Sequence, residues 1–266
     1  MSVMNGFERE IRSRILGVAS HVQVLAAEGG LPDWRRIAEQ AQANPAVVAA
    51  APFVAAQGLL SSGSQVRGVF VRGVLPDYEP KVSEIDRKMV EGSLDDLKPG
   101  SFHIILGREL AMKLGVSVGD HATLITPEVS TSPMGVQPRF KRFTVSGIFE
   151  VGMQEYDGAL AVVHMKDAQT LYRLDGPSGI RLRLDDMFRA WSVARELSGQ
   201  LGQAYRVSDW MQGHSNFFKA IAMEKKVMFL ILSLIVAVAA FNLVSTLVML
   251  VTDKQSDIAI LRTLGM

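Results

Sequence analysis

An uncharged apolar run near the end of the chain constrains its fold more than any other feature. The run extends from Val227 to Val251, and its 25 residues include no Asp, Glu, Lys or Arg. As a helix it would measure roughly 37 Å, which exceeds the ~30 Å hydrocarbon core of a bilayer. A buried core helix is usually shorter and interrupted by charge. The sequence therefore predicts at least one transmembrane α-helix.

The rest of the chain has the composition of an ordinary globular protein. Its 28 Lys and Arg nearly balance its 27 Asp and Glu, so the charge gives no indication of nucleic-acid binding. The chain has no cysteine, which excludes disulfides, Cys-ligated zinc and thiol catalysis. The part before the run is long enough for one sizeable core or two small ones.

Charge does not fix the orientation of the span. Lys219, Lys225 and Lys226 precede the run and Lys254 and Arg262 follow it, which is too even a balance for the positive-inside rule. The opening residues lack the apolar stretch of a signal peptide, and the closing ILRTLGM stops where a helix would reach its glycine cap. We therefore expect a fragment of a longer protein.

Hydrophobic periodicity predicts a mixture of helices and strands. An amphipathic helix is predicted from Phe7 to Val22, because apolar residues recur there every three or four positions. Further helices are predicted over 34–43, 85–91, 107–114, 165–174, 187–201 and from about 210 into the span. Strands are predicted over 47–62, 65–76, 122–126, 143–149, 159–164, 180–184 and 205–207. Because strands and helices do not alternate strictly, the predicted fold class is α+β.

The segment after the span, Asp253 to Met266, carries an apolar stripe with charged residues at its edge. It fits a juxtamembrane helix that lies on the lipid surface. It fits equally well a short helix that docks in a groove of a partner protein. The pattern leaves both interpretations open.

Three stretches resemble one family. They are NLVSTLVMLVTDKQSDIAILRTLG (242–265), the opening MSVMNGFEREIRSRILG, and LSLIVAVAAFN (232–242). All three resemble the permease subunits of lipoprotein-releasing ABC transporters, the LolC/LolE family. The wider MacB- and FtsX-type permeases share the architecture but not these sequence motifs.

The resemblance implies a domain organisation. Residues 1–24 would be a stalk helix that follows a missing first span, and residues 25–216 a MacB-like periplasmic α+β domain. Residues 217–251 would form a stalk and the second of four spans in the bacterial inner membrane. Residues 252–266 would be the cytoplasmic coupling helix that contacts a LolD-type ATPase. The predicted coupling residues are Asp253, Lys254, Asp257, Ile258, Ile260, Leu261 and Arg262.

A long segment between two predicted strands, PEVSTSPMGVQPRFKR (127–142), is interpreted as a loop. Pro127, Pro133 and Pro138 would stiffen it and forbid strand pairing, which would leave Met134 and Val136 exposed at its tip. An ordinary flexible surface loop is the plainer alternative. The segment resembles the protruding hook with which LolC grips the periplasmic lipoprotein carrier LolA. The implied carrier-binding residues are Pro133, Met134, Gly135, Val136, Gln137, Pro138, Arg139, Lys141 and Arg142.

The match to the hook is incomplete. Phe140 stands where the family has a polar residue. The end of the chain reads more like LolE, although LolE lacks the gripping form of the hook. The mixture resembles the hybrid permease of some Gram-negative lineages, sometimes called LolF.

Sequence motifs for catalysis or metal binding are missing. The five histidines show no helical pairing, and HExxH, GxSxG, Walker and GxGxxG motifs do not occur. Two adjacent pairs, Asp95–Asp96 and Asp185–Asp186, lie in turn-like contexts and more readily cap helices than act as acid and base. We therefore expect a non-catalytic subunit with no metal or cofactor of its own. The resemblance implies that ATP and Mg bind to the partner ATPase subunit.

Polar and adaptable residues mark the span. Asn242 is costly in lipid, so it is predicted to contact another helix or the lipoprotein. Met223, Met228 and Phe229 stand where the stalk meets the membrane, and they fit either a lipid-binding wall or ordinary packing.

The predicted function is that of a permease subunit that extracts lipoproteins from the inner membrane and hands them to a periplasmic carrier. Its expected partners are the ATPase, a second permease subunit (itself or a sister), the carrier and the lipoprotein substrate. One alternative is another MacB/FtsX-like permease, for peptide export or regulation of a cell-wall hydrolase. The other is a single-span receptor with a ligand-binding ectodomain.

Overall fold

The computed structural model describes residues 20–27, 29–132, 135–202, 204–210 and 215–263. The chain divides into two compact units, residues 1–213 and 214–266. The strands are β1 (Val22–Ala26), β2 (Val47–Ser62), β3 (Gln65–Val74), β4 (Met89–Glu91), β5 (His103–Gly107), β6 (His121–Ser132), β7 (Gly135–Phe149), β8 (Leu160–His164), β9 (Gly179–Leu184) and β10 (Tyr205–Asp209). The helices are α1 (Trp34–Gln42), α2 (Glu79–Val82), α3 (Arg108–Leu114), α4 (Gln154–Asp157), α5 (Met165–Tyr172), α6 (Ala190–Leu201) and α7 (Ser215–Thr263). Short 3₁₀ helices cover Asp86–Lys88, Leu94–Asp96 and Met187–Arg189.

One long strand, β2, connects the two halves of the sheet in the first unit. Its first half pairs with β9 as far as Phe53, and its second half pairs with β3 from Val54 onward. Pro52 therefore lies where β3 does not pair with β2, the kind of position at which a strand tolerates the missing N–H of proline. A two-residue turn follows β2, and Gly63 adopts a φ of 55° there, which glycine accepts without strain.

The second half of the sheet closes into a barrel. The strands pair in the order β2–β3–β8–β5–β7, and β6 pairs with both β7 and β2 to complete the ring. The pairs β3–β8 and β5–β7 are parallel, and the other pairs in the ring are antiparallel. Each of these six strands therefore has a described neighbour on both sides within the ring.

Apolar side chains fill the main core of this half. The cluster includes Val54, Leu60, Val69, Val71, Ile104, Leu106, Leu124, Phe143, Val145, Ala161 and Val163. A second cluster joins alternate residues of β5 and β8, such as Ile105 and Val162, to Ile85, Leu94 and Leu97 of the connection between β3 and β5. Alternate residues of β5 and β8 thus enter two cores, which explains why Ile104–Leu106 and Leu160–Val163 are apolar without alternation.

The first half of the sheet has the strand order β10–β1–β9–β2. Helix α1 packs on β2 and β9, and α6 packs on β10 and β1. The buried residues of α1 are Trp34, Ile37, Ala38 and Ala41, a helical spacing that places them on one face.

Several predicted elements differ from the structure. Most of the helix predicted from Phe7 to Val22 lies outside the described residues, but Val22 begins strand β1, where buried Val22 and Val24 alternate with less buried residues. The helix predicted over 85–91 is wrong: a 3₁₀ turn is followed there by strand β4, which pairs with β7. Strand β5 was not predicted, because its run HIILG has no alternation.

The second unit consists of helix α7, 49 residues without a break. At about 1.5 Å per residue it is roughly 74 Å long, more than twice the thickness of a hydrocarbon core. Its segment Lys226–Gln255 is long and apolar enough to cross a membrane, and none of that segment is buried within the protein. The predicted α+β fold with a transmembrane helix is confirmed.

Candidate functional site

The base of the β6–β7 hairpin is built into the barrel. Residues His121 to Ile125 of β6 pair with residues 140–144 of β7, and β6 also pairs with β2 from Thr123 to Ile125. Leu124 and Phe143 are fully buried here. The hydroxyl of Thr144 lies 3.3 Å from His121 Nδ1 on the partner strand. Strand β6 is therefore paired on both sides at the base.

Beyond the base the hairpin continues as a two-stranded arm. Residues 126–128 of β6 stand opposite the single residue Arg139, so a bulge separates the arm from the base. The arm then pairs Val129–Ser132 with Gly135–Pro138, and no other described strand pairs with it. Four residue pairs at about 3.4 Å each give it a length of roughly 14 Å.

The prediction of a long loop over 127–142 is therefore wrong in its secondary structure. Pro138 was expected to prevent pairing, but its Cα lies opposite Val129 within β7. A two-stranded ribbon tolerates proline, because each strand has a free side. Of the predicted carrier-binding residues, Pro133 and Met134 lie outside the described residues. The backbone of Gly135, Val136, Gln137 and Pro138 belongs to the arm.

Three predicted basic residues surround the junction between arm and base. Arg139 is partly buried, and its Nε and Nη1 have no hydrogen-bond partner among the described residues. The ammonium of Lys141 lies 3.9 Å from the centre of the Phe102 ring, which packs edge-on against Phe143. Arg142 is exposed. All three residues belong to the stretch of β7 next to the arm, and their role in carrier binding stays a prediction.

An apolar row that the sequence did not reveal crosses the same place. Leu59, Ile125 and Phe140 are directly opposite one another on β2, β6 and β7. Directly paired residues share a face of the sheet, so the three side chains form one strip, which we call the foot strip. Phe140 is 72% exposed, and Leu59 is also exposed. Strand registers had to be known before the strip could be seen.

The buried carboxylates of this unit serve structure. Asp157 accepts backbone hydrogen bonds from Val151, Gly152 and Met153 at 2.8–3.0 Å. Asp167 accepts N–H groups of Gly100 and Phe102 at 2.7 and 3.0 Å. Both carboxylates hold loops, an arrangement that leaves them no free acid–base role.

One residue of each predicted acid pair and two of the histidines also have structural partners. Asp96 accepts the Ser93 N–H in a capping box, and Asp185 forms an ion pair with Arg189 at 3.6 Å. His21 Nδ1 accepts the N–H of Leu184, and His164 Nδ1 accepts that of Lys166 at the start of α5. Within the described part of the chain, no group of three or more potential ligands could hold a metal ion.

The predicted membrane residues lie on one exposed helix. Met223, Met228, Phe229 and Asn242 are all exposed on α7. One turn after Asn242, the Thr246 hydroxyl donates to the Asn242 carbonyl at 2.8 Å, which satisfies that hydroxyl within the helix. That bond involves the main chain of Asn242, and the predicted contact of its exposed side chain with another helix or the lipoprotein stays a prediction.

The predicted coupling segment continues helix α7 as far as Thr263 instead of forming a separate short helix. It contains no proline or glycine between Thr252 and Thr263, so nothing in the sequence interrupts the backbone hydrogen bonds. Asp253, Lys254 and Ile260 are exposed. The helix backbone includes Asp257, Ile258, Leu261 and Arg262.

Comparisons with known proteins assign the family. The family model of the MacB-like periplasmic core domain matches residues 1–200. The Lipoprotein-releasing system transmembrane protein LolC of Xylella fastidiosa (strain 9a5c) is 49% identical over 266 residues, which cover 100% of this chain and 64% of that protein. The corresponding LolE of Haemophilus influenzae is 35% identical over 272 residues, covering 100% of this chain and 65% of that protein.

The chain thus spans just under two thirds of the length of these relatives. A solved structure, the periplasmic region of MacB from Actinobacillus actinomycetemcomitans, matches with a TM-score of 0.47 and 13% identity, over 78% of this chain and 97% of that one. The predicted resemblance to the LolC/LolE family is confirmed, and the chain belongs to the family with a MacB-like periplasmic core domain.

Proposed function

We propose that this chain is part of a permease subunit that extracts lipoproteins from the bacterial inner membrane and passes them to a soluble periplasmic carrier. The observation that carries the proposal is the 49% identity to LolC along the whole chain. The exposed helix Lys226–Gln255 supports a place in the membrane.

In this proposal the β6–β7 arm holds the carrier. No other described strand pairs with the arm, so the backbone groups along both of its edges can offer hydrogen bonds to a partner. The foot strip adds apolar surface at its base, and Arg139, Lys141 and Arg142 add positive charge. This combination suits a carrier with an apolar contact surface and an acidic rim.

The chain would contribute binding and mechanical coupling to transport rather than covalent chemistry. Helix α7 would carry motion between the two sides of the membrane, because it is unbroken from Ser215 to Thr263. A LolD-type ATPase that binds ATP and Mg would act on the segment after Thr252. A second permease subunit would complete the path, and Asn242 with Met223, Met228 and Phe229 would face that subunit or the lipoprotein.

A pull-down of the carrier tests the proposal. The full chain is presented in detergent with wild-type sequence, with Met134→Asp, or with Met112→Asp as a matched control on helix α3, where Met112 is exposed. We expect wild type and Met112→Asp to retain the carrier. Met134→Asp should lose most of it, because a carboxylate at an apolar contact must be desolvated without a partner. Equal retention by all three proteins would overturn the proposed role of the arm.

A second experiment separates transport from the alternative of a single-span receptor. Scrambling residues 253–265 in the full-length permease should abolish lipoprotein release while carrier binding is kept. Release that survives the scramble would contradict coupling through this segment.

A further inference from the structure

A cleft in the first unit, well separated in sequence from the hairpin, contains an enclosed cationic group. Its volume is about 230 Å³, below the roughly 300–1,000 Å³ of pockets for drug-sized ligands. It is lined by residues of β1, β2, β3, α4 and β8, including Phe53, Phe70, Arg72, Glu155 and Tyr156. The size suits a small molecule or one end of a larger one.

The enclosed charges beside the cleft do not balance, although the exposed Glu155 adds a second carboxylate to its lining. Arg181 and Glu79 form an ion pair in which each side chain is only 1% exposed. Arg72 lies close enough to feel both charges, so the group contains two guanidiniums and one carboxylate. A surplus buried charge is costly unless a counter-charge or hydrogen bonds compensate it.

Several buried polar atoms of this group lack a hydrogen-bond partner among the described residues, and Glu79 Oε1 is the one acceptor among them. Arg72 Nη1 is enclosed and has no hydrogen-bond partner within the described part of the chain, and the same holds for Arg181 Nε and Nη1. Arg181 stacks with its guanidinium carbon 5.4 Å from the centre of the Phe53 ring, so it lies behind one wall of the cleft. Burial, followed by the charge of Arg181, lowers the pKa of Arg72 to about 10, so Arg72 stays charged at neutral pH.

The other lining residues indicate which anion fits. Phe53, Phe70 and Leu160 make the walls apolar. Glu155 also lines the cleft; it is exposed and has an interaction of its own, and its negative charge disfavours a dianion. Burial raises the pKa of the Tyr156 hydroxyl, which therefore remains a neutral donor. A planar guanidinium binds a carboxylate through two parallel hydrogen bonds.

We propose that this cleft binds a monocarboxylate with an apolar body, anchored by the Arg72 guanidinium and enclosed by Phe53, Phe70 and Tyr156. The carboxylate can belong to a free acid or to the end of a peptide chain. The site is independent of carrier binding by the arm.

Benzoate is the probe that tests the site, with the full chain in detergent and the ionic strength held constant with chloride. We expect one saturable site in wild type and in Arg67→Gln, the control for an exposed arginine on the same strand. Arg72→Gln should bind at least about tenfold more weakly, because the charge-assisted hydrogen bonds are lost. Absence of saturable binding in wild type, or binding by Arg72→Gln within about twofold of wild type, would overturn the proposal.

A second pair of variants guards against misfolding of Arg72→Gln. Phe70 is 52% exposed, so Phe70→Glu should fold, yet its carboxylate should repel benzoate. Val66→Glu places the same charge on the same strand away from the cleft. Loss of binding in Phe70→Glu alone supports the site, and equal loss in both variants contradicts it.

Chemically matched ligands test whether the ligand is a monocarboxylate. Benzyl alcohol and inorganic phosphate should bind more weakly than benzoate, and tighter phosphate binding would contradict the assignment. A short apolar peptide with a free C-terminus, compared with its amidated form, distinguishes the two sources. If the peptide with the free C-terminus binds more strongly than its amide, the carboxylate belongs to a chain end. If both peptides bind equally weakly, the ligand is a free acid.

Discussion

The base and the arm of the β6–β7 hairpin belong to the same two strands, yet they are held in place by different means. At the base, β6 pairs with β2 as well as β7, and Leu124 and Phe143 are buried in the barrel. In the arm, the two strands pair with each other and with no other described strand. Neighbouring strands and a core make the base rigid, whereas an isolated two-stranded ribbon is only marginally stable in water.

The difference separates two tasks within one element. The base fixes the direction in which the arm leaves the barrel, and no other described strand pairs with the backbone edges of the arm. Loss of stability and loss of binding should therefore arise from different residues of the hairpin. Four predictions test this separation, in order of decreasing effect.

The largest contrast is expected between two phenylalanines of β7. Phe143→Ala should lower the free energy of unfolding by about 3–5 kcal/mol, because a fully buried ring is lost from the core. Phe140→Ala should change it by about 0.5 kcal/mol or less, because that ring is exposed. Denaturation followed by tryptophan fluorescence measures both, since all three tryptophans lie in the first unit. Similar losses for both variants would mean that the exposed ring of Phe140 at the foot of the arm is packed as firmly as the core ring of Phe143.

Hydrogen exchange should show the next largest contrast. Amides of the base, such as those of Leu124 and Phe143, should exchange at least about 100-fold more slowly than those of Val129 to Ser132, because the base opens only with the barrel. Mass spectrometry of the full chain in detergent measures the two segments together. Equal protection would show that the arm is stabilised by contacts beyond its own pairing.

A smaller loss of stability is expected from removal of the cation–π contact between Lys141 and Phe102 at the base. Lys141→Gln removes the ammonium 3.9 Å from the Phe102 ring centre and should cost about 0.5–1 kcal/mol. Lys113→Gln is the control, because it removes a solvent-accessible ion pair with Glu109 on a helix. It should cost about 0.5 kcal/mol or less. If Lys141→Gln costs no more than the control, the cation–π contact contributes nothing to the base.

Acidification should lower the stability of the barrel and sheet without changing carrier binding by the arm. Burial lowers the pKa of His21 and of His164, so the unfolded chain binds protons more readily than the folded one. Stability should be complete above the ordinary histidine pKa of about 6.5 and decline gradually as the pH falls below it. Residues 127–138 contain no histidine, so carrier binding at constant folded fraction should not follow this titration.

Variants at the two histidines identify the origin of that pH dependence. His21→Gln and His164→Gln should each flatten the stability profile between neutral pH and pH 5. An unchanged slope in the double variant would assign the pH dependence to other groups.

Much of this fold could be predicted from local sequence signals. Strands β2 and β3 and the turn at Gly63 were predicted correctly, as was helix α1, because apolar spacing and a glycine turn mark them. The membrane helix was predicted because lipid requires a long uncharged run. These features depend on residues close together in the chain.

Features that depend on distant partners could not be predicted. The arm was interpreted as a loop, because three prolines outweighed the weak β-pattern of EVSTS and GVQ. Barrel closure through β6 and β2, and with it the foot strip, depends on a register between residues about 60 positions apart. The Arg72 cleft likewise combines strands and a helix that no local pattern brings together.

The central claim is that the arm contacts a periplasmic carrier while the barrel supports it. A photo-crosslinking amino acid at position 136 of the arm, compared with one at position 112 on helix α3, tests this most directly in intact cells. We predict a crosslink to the carrier from position 136 and none from position 112. Crosslinks from both positions, or from position 112 alone, would contradict the claim, as would the absence of any crosslink from position 136 while lipoprotein release continues.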